Sequence, residues 1–209
     1  MTSDRGDSGD ERGDTLLALS TADVATAGGD RVGIILGLPP AWANAALVAP
    51  AFTASGVAGD NLVLHRALAE AQRGSAVVAS LSGSACAGHW GELMCIAALA
   101  AGLRGVVVSG TVRDLPRMET LGFPVFHAGV GPRPATKSYP GDLGGPVKIG
   151  DVTIHTDDLI VADADGVAVV RRSLVEGVLA DVRELRRREA ELVDRLERGT
   201  TTLEALGLG

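Results

Sequence analysis

Two rhythms of apolar and polar positions run along this chain. From Leu62 to Gln72 the residues Leu62, Leu64, Ala67, Leu68 and Ala71 keep to one helical face, and Gly59-Asp60-Asn61 ahead of them supplies Asp60 or Asn61 as a cap. A longer helix is predicted over Ser173 to Arg198, where Val175, Val178, Val182, Leu185, Leu192 and Leu196 recur near three-four spacing on a charged background. Between these stretches lie short apolar runs bounded by turn residues, the signature of strands: Ala46 to Ser55, Ser75 to Leu81, Gly105 through Val108, Phe123 to Phe126, Val147 to Ile149, Val152 to His155, Asp158 to Ala162 and Gly166 to Val170. Pro50 points to an edge or bulge position for the first of them. Leu16 to Ala27 is predicted helical, with Ser20 or Thr21 as N-cap and Gly28-Gly29 as its end. Gly33 to Pro40 reads as a short extended piece and a turn, Leu115 to Thr120 as a short helix, and Gly129 to Pro146 as a long loop that wraps a neighbour or borders a site. Residues 1–14 are rich in Asp, Gly and Ser without apolar periodicity and predict a disordered tail.

Composition narrows this picture to one compact α/β body. Of 209 residues, 46% are hydrophobic but only 3% aromatic, so the core must be built from small aliphatic side chains, with 28 glycines permitting close backbone packing. The formal charge of −7 excludes a general nucleic-acid surface, which needs a clustered basic excess. From Arg171 to Arg198 the eight arginines are nearly cancelled by seven acids, so that run is a solvated face. The stretch 173–209 is expected to pack on the body or on a neighbouring subunit. Cys86 and Cys95 read as reduced thiols, Cys95 as core, and an acidic start with no long apolar run predicts a cytoplasmic protein with neither leader nor membrane span.

Candidate chemistry concentrates in Gly91 to Asp114. A helix of about a dozen residues from Gly91 rises roughly 18 Å, and five or six strand residues from Gly105 span roughly 17–20 Å. The return leg therefore matches the outward leg and brings Arg113 and Asp114 back beside Glu92 and the free N–H groups of Leu93 and Met94. Two acids, a guanidinium and a helix start on one spot suit a hard divalent cation and a small carboxylate. Other candidates are weaker. Gly83 to Gly88 has P-loop glycine spacing, but His89-Trp90 stands where Lys and Ser or Thr are required. His89 and Glu92, three apart, form a possible ligand pair set against a packed histidine. Asp163 and Asp165 fit a tight turn better than a metal pair.

Glu92, twenty intervening residues and then Arg113-Asp114 resembles the acid-X20-Arg-Asp signature of the RraA-like proteins. Ser20 to Val24, Gly59 to Leu62, Leu121 to Phe126 and Val161 to Val170 are similar to that family's other landmarks in the same order. The resemblance spans residues 18 to 172 and implies a swivelling α/β/β/α sandwich over residues 15–172, assembled as trimers or hexamers with sites between subunits. It implies a metal-dependent 4-hydroxy-4-methyl-2-oxoglutarate aldolase or oxaloacetate decarboxylase. Gly91, Glu92, Leu93, Met94 and Arg113 would bind a 2-keto acid, Asp114 would ligate Mg²⁺ or Mn²⁺, and Glu92 would hold metal-bound water. Lys137 and Lys148 are the only lysines, and this chemistry needs no Schiff base. The family also contains a regulator that binds ribonuclease E, which is the alternative function. Two positions depart from its pattern: Arg117 stands where an acid is common, with Glu119 nearby, and Thr200 stands where the aldolases carry a C-terminal glutamate.

Overall fold

The computed structural model describes residues 19–208. The tail predicted over 1–14 and the first residues of the helix predicted from Leu16 lie outside them. In chain order the elements are α1 (Thr21–Gly28), β1 (Val32–Ile35), β2 (Leu47–Val57), α2 (Leu62–Glu70), β3 (Ala76–Ser82), β4 (Ala87–Gly88), α3 (Glu92–Ala101), β5 (Gly105–Val112), α4 (Leu115–Leu121), β6 (Val125–Val130), β7 (Arg133–Pro134), β8 (Asp142–Leu143), β9 (Val147–Ile149), β10 (Val152–Ile154), β11 (Leu159–Asp163), β12 (Gly166–Val170), α5 (Val175–Glu197) and α6 (Thr202–Leu206).

One strand joins the two halves. The main sheet runs β1-β12-β11-β2-β3-β5-β6, antiparallel up to β2 and parallel beyond it, because β3, β5 and β6 are each reached through a helix. β2 pairs with β11 over Leu47 to Pro50 and with β3 only from Ala51 onward. The edge or bulge position expected of Pro50 is thus corrected: the strand is central, and Pro50 is tolerated because the ladder on the β3 side begins one residue later.

Strand alternation then sorts the core into three layers. Ala76, Val78, Val107 and Phe126 share one cluster with Ile160, Ala162, Val167 and Val169 from the other half. The opposite faces pack on helices. Val77, Ala79, Val106 and Val108 lie against α2, α3 and α4, whereas Val161, Ala168 and Val170 lie against Val24 of α1 and Val178 and Val182 of α5. The order is helix, sheet, sheet, helix, an α/β/β/α sandwich.

Ser20 Oγ caps α1 by accepting from Asp23 N at 3.0 Å. Asp163 accepts from Thr21 N at 2.8 Å and from Asp165 N at 3.0 Å, so its carboxylate closes a turn and tethers α1. Arg186 of α5 clasps Asp23 at 2.6 Å, and Arg31 meets Asp181 at 2.6 Å. Among the described residues the C-terminal part of α5 leaves apolar side chains open, with Val193 and Leu196 exposed. The segment predicted as a loop over 129–146 carries the end of β6 and the short strands β7 and β8 and is fastened to its own body. Buried Asp60 accepts from Thr136 Oγ1 and Ser138 N, both at 2.6 Å, and from Leu62 N at 2.9 Å. Burial pushes the Asp60 carboxyl up, but these hydrogen bonds outweigh it and hold it at about 2. No helix among the described residues is long and apolar enough to cross a membrane.

Candidate active site

The start of α3 and the end of β5 are stitched together one residue at a time. His89 N donates to Thr111 O at 2.8 Å, Trp90 bridges Val112 in parallel register, and Arg113 N donates to Trp90 O at 2.9 Å. Asp114 therefore arrives at the first turn of α3, where its Oδ2 accepts from Glu92 N at 3.3 Å. Arg113 Nε lies 3.5 Å from the same oxygen. Asp114 sits in the left-handed region at φ 65° and ψ 35°, a conformation that costs a non-glycine residue on the order of 1 kcal/mol. It is retained because it turns the chain from β5 into α4 while aiming the carboxylate at α3.

Two glycines make room for this arrangement. A Cβ at Gly91 would stand 2.7 Å from Asp114 Oδ2, and one at Gly88 would stand 2.6 Å from Arg113 Cδ. The aliphatic stem of Arg113 lies across both positions, with its side chain 39% exposed. In the sequence Gly88 stands out only through its P-loop spacing to Gly83, and its place beneath Arg113 is not read from it. Its signal was the pair of glycines three apart just before the helix start.

The remaining predicted residues divide. Leu93 N carries no hydrogen bond among the described residues, whereas Met94 N, expected to be free, donates to Gly91 O at 3.1 Å because the first turn is tight. Met94 is buried, with its Sδ accepting from Asn61 Nδ2 at 3.7 Å, so its side chain faces the core. Glu92 Oε1 takes Arg117 Nε at 2.8 Å and Arg117 Nη2 at 2.7 Å. This pairing raises the Arg117 guanidinium above its ordinary range. His89 is buried and both ring nitrogens are committed: Nε2 accepts from Gly59 N at 2.7 Å, and Nδ1 donates to Thr111 O at 3.0 Å. Burial lowers its pKa, and it is a neutral strut between the turn at Gly59 and strand β5, not a metal ligand.

Among the described residues no group of three or more His, Cys, Asp and Glu side chains could hold a metal ion. That does not count against a hard cation such as Mg²⁺, which is commonly held by one or two carboxylates with waters and substrate oxygens completing its shell. Asp114 Oδ1 and Glu92 Oε2 have no hydrogen-bond partner among the described residues, and the Asp114 side chain is 40% exposed. Those two oxygens fit such an ion. The buried Cys95 thiol, pushed up to about 11 mainly by burial, accepts from Trp90 Nε1 at 3.2 Å and takes no part.

The sandwich and the carboxylate-guanidinium cluster at the parallel end of its sheet define the class. Residues 20–169 match the family model RraA-like, Aldolase/RraA, and the chain belongs to that family. It is 34% identical over 142 residues, 68% of each chain, to a protein of Halalkalibacterium halodurans named "Putative 4-hydroxy-4-methyl-2-oxoglutarate aldolase". Among solved structures, an uncharacterized protein from Pseudomonas syringae pv. tomato matches with a TM-score of 0.84 and 25% identity, covering 100% of this chain and 99% of that one. Streptomyces coelicolor RraAS2, described as an unusual member of the RNase ES inhibitor RraA protein family, matches with a TM-score of 0.74 and 28% identity over 93% of this chain and 99% of that one.

Proposed function

We propose that this protein is a divalent-metal-dependent lyase that cleaves the C3–C4 bond of 2-keto acids to release pyruvate, acting on 4-hydroxy-4-methyl-2-oxoglutarate, on oxaloacetate, or on both. The observation that carries this reading is the position of Asp114 Oδ2 at the start of α3, 3.3 Å from the backbone N of Glu92 and 3.5 Å from Arg113 Nε. The name of the Halalkalibacterium relative supports the same class.

Asp114 Oδ1 would hold the cation, with Glu92 reaching it through water. When bound, Mg²⁺ or Mn²⁺ supplies Lewis-acid polarisation of the keto oxygen. The chain's own groups do the rest. Leu93 N–H and the guanidinium of Arg113 receive the substrate C1 carboxylate, and the same guanidinium presents fixed positive charge as the C2 oxygen becomes anionic. As the C3–C4 bond breaks, its electron pair moves into the C2–C3 enolate, and C4 leaves as CO₂ or, with its hydroxyl proton passed to the water at Glu92, as the carbonyl carbon of a second product. A water held at Glu92 Oε2 then delivers a proton to C3 and completes pyruvate.

The test is pyruvate release from a panel of keto acids with Mg²⁺ or Mn²⁺, with and without chelator. Metal-dependent pyruvate from at least one acid is expected, and none from any of them would remove the proposal. A second reading, a regulator that binds ribonuclease E without catalysis, is favoured by the likeness to RraAS2. Capture of ribonuclease E together with a silent pyruvate assay would select it. Assembly as trimers or hexamers belongs to this proposal too, and sedimentation would read it directly.

A further inference from the structure

Arg117 is the one feature of the site that the reaction above does not use. It lies on α4 one turn beyond Asp114, its amide donating to Asp114 O at 2.9 Å, and its side chain is 58% exposed. Nε and Nη2 both address a single oxygen of Glu92, which leaves Nη1 with no partner among the described residues. The exposed guanidinium is thus oriented by Glu92 yet still open on its outer edge. The charges add a second argument. Arg113 and Arg117 cancel Glu92 and Asp114, so a divalent cation in this cluster is balanced by a substrate carrying two carboxylates and is left in excess by a substrate carrying one.

Resting on the lyase reading, we infer that Arg117 recognises the carboxylate borne on C4 of the substrate, which makes this a site for 4-hydroxy-2-keto dicarboxylates in preference to oxaloacetate. The reason is the fate of that carboxylate. In retro-aldol cleavage the C4 hydroxyl loses its proton to the water at Glu92, the C3–C4 pair moves into the enolate, and C4 becomes a ketone. C3 then takes the proton back. The C4 carboxylate survives intact, and Arg117 holds it from substrate to product. In oxaloacetate the corresponding carboxylate is the group that departs as CO₂, and an arginine on it stabilises the anionic ground state that must be lost.

Arg117→Gln therefore has opposite consequences for the two reactions. For 4-hydroxy-4-methyl-2-oxoglutarate the KM rises about tenfold or more, the size expected for one charge-assisted pair. For 4-hydroxy-2-oxopentanoate, which lacks the C4 carboxylate, kcat/KM stays within about threefold. For oxaloacetate kcat does not fall. Arg117→Lys recovers part of the KM. Equal losses on all three substrates would overturn the inference and leave Arg117 as a support for Glu92 alone. A binding measurement separates this outcome from failure of the lyase reading. Calorimetric titration with Mg²⁺ and the uncleavable 2-oxoglutarate or 2-oxobutyrate needs no turnover. Arg117→Gln is expected to weaken 2-oxoglutarate about tenfold and 2-oxobutyrate less than about threefold. Equal changes in the two affinities would overturn the inference even in a protein that releases no pyruvate.

Discussion

Asp114 and Asp158 each stand beside an arginine, but their surroundings differ in every respect that matters to chemistry. The Asp158 side chain is 4% exposed, and both of its oxygens are in use, Oδ2 by His155 N at 2.9 Å and Oδ1 by Arg172 N at 3.1 Å, with Arg171 3.9 Å away. It ties the turn before β11 to the segment after β12, and it lines a concavity of ≈ 810 Å³ together with His155, Arg171, Arg172, Ser173 and Glu176. Asp114 lies at an open surface, 40% exposed, with one oxygen unclaimed and its backbone in the left-handed region. That hollow belongs to a carboxylate that is already satisfied. Concavity alone is thus a poor guide here, and the uncommitted oxygen is the better one.

The sharpest way to break this comparison is to remove each carboxylate and read activity and stability separately. Asp114→Ala is expected to abolish keto-acid turnover, a loss of about 10³-fold or more, with the melting temperature nearly unchanged. Near-native rates would remove the role assigned to it. Arg113→Ala is expected to lower kcat/KM by about 10²-fold, as for loss of one preorganised cationic donor, and steady-state kinetics would reveal a smaller effect. Asp158→Ala should do the reverse. It leaves two backbone N–H groups without their acceptor and should cost about 2 kcal/mol in denaturant unfolding, with turnover per folded molecule unchanged.

The smallest effect is a pH dependence at Asp60. Its folded pKa of about 2 lies below the ordinary 3.8, so its stabilisation is fully present above about pH 4 and is lost as pH falls through about 2. The stability gap between wild type and Asp60→Asn should be constant at neutral pH and close on acidification. A gap that widened in acid would contradict the assigned sign.

The juxtaposition of residues 92 and 114 was legible in the sequence because a helix and a strand of matched length must bring their far ends together, and the chain between them contains only one turn. The four short strands after residue 146 were legible for a similar reason, each being an apolar run closed by turn residues. Pro50 misled because a proline argues about one N–H, whereas the strand has different partners above and below it. The two-residue strands β4, β7 and β8 carry no periodicity and exist only through their pairing partners. Met94 N and Gly88 failed for a common reason. Whether an amide is free, or a Cβ would fit, depends on ångström-scale packing that residue spacing does not encode.

Trp90 offers a practical consequence. Its carbonyl holds Arg113 N, and its ring is stacked on Phe123 at 6.1 Å and 7°. Trp42, the only other tryptophan in the chain, donates its indole N–H to the carbonyl of that same Phe123 at 3.2 Å. Both indole fluorophores therefore report from the two sides of one phenylalanine, just past the helix that carries Arg117. Occupancy of the cluster can be followed by the intrinsic emission of the untagged protein, and Trp42→Phe would assign the signal to Trp90, whose backbone carbonyl accepts from Arg113 N.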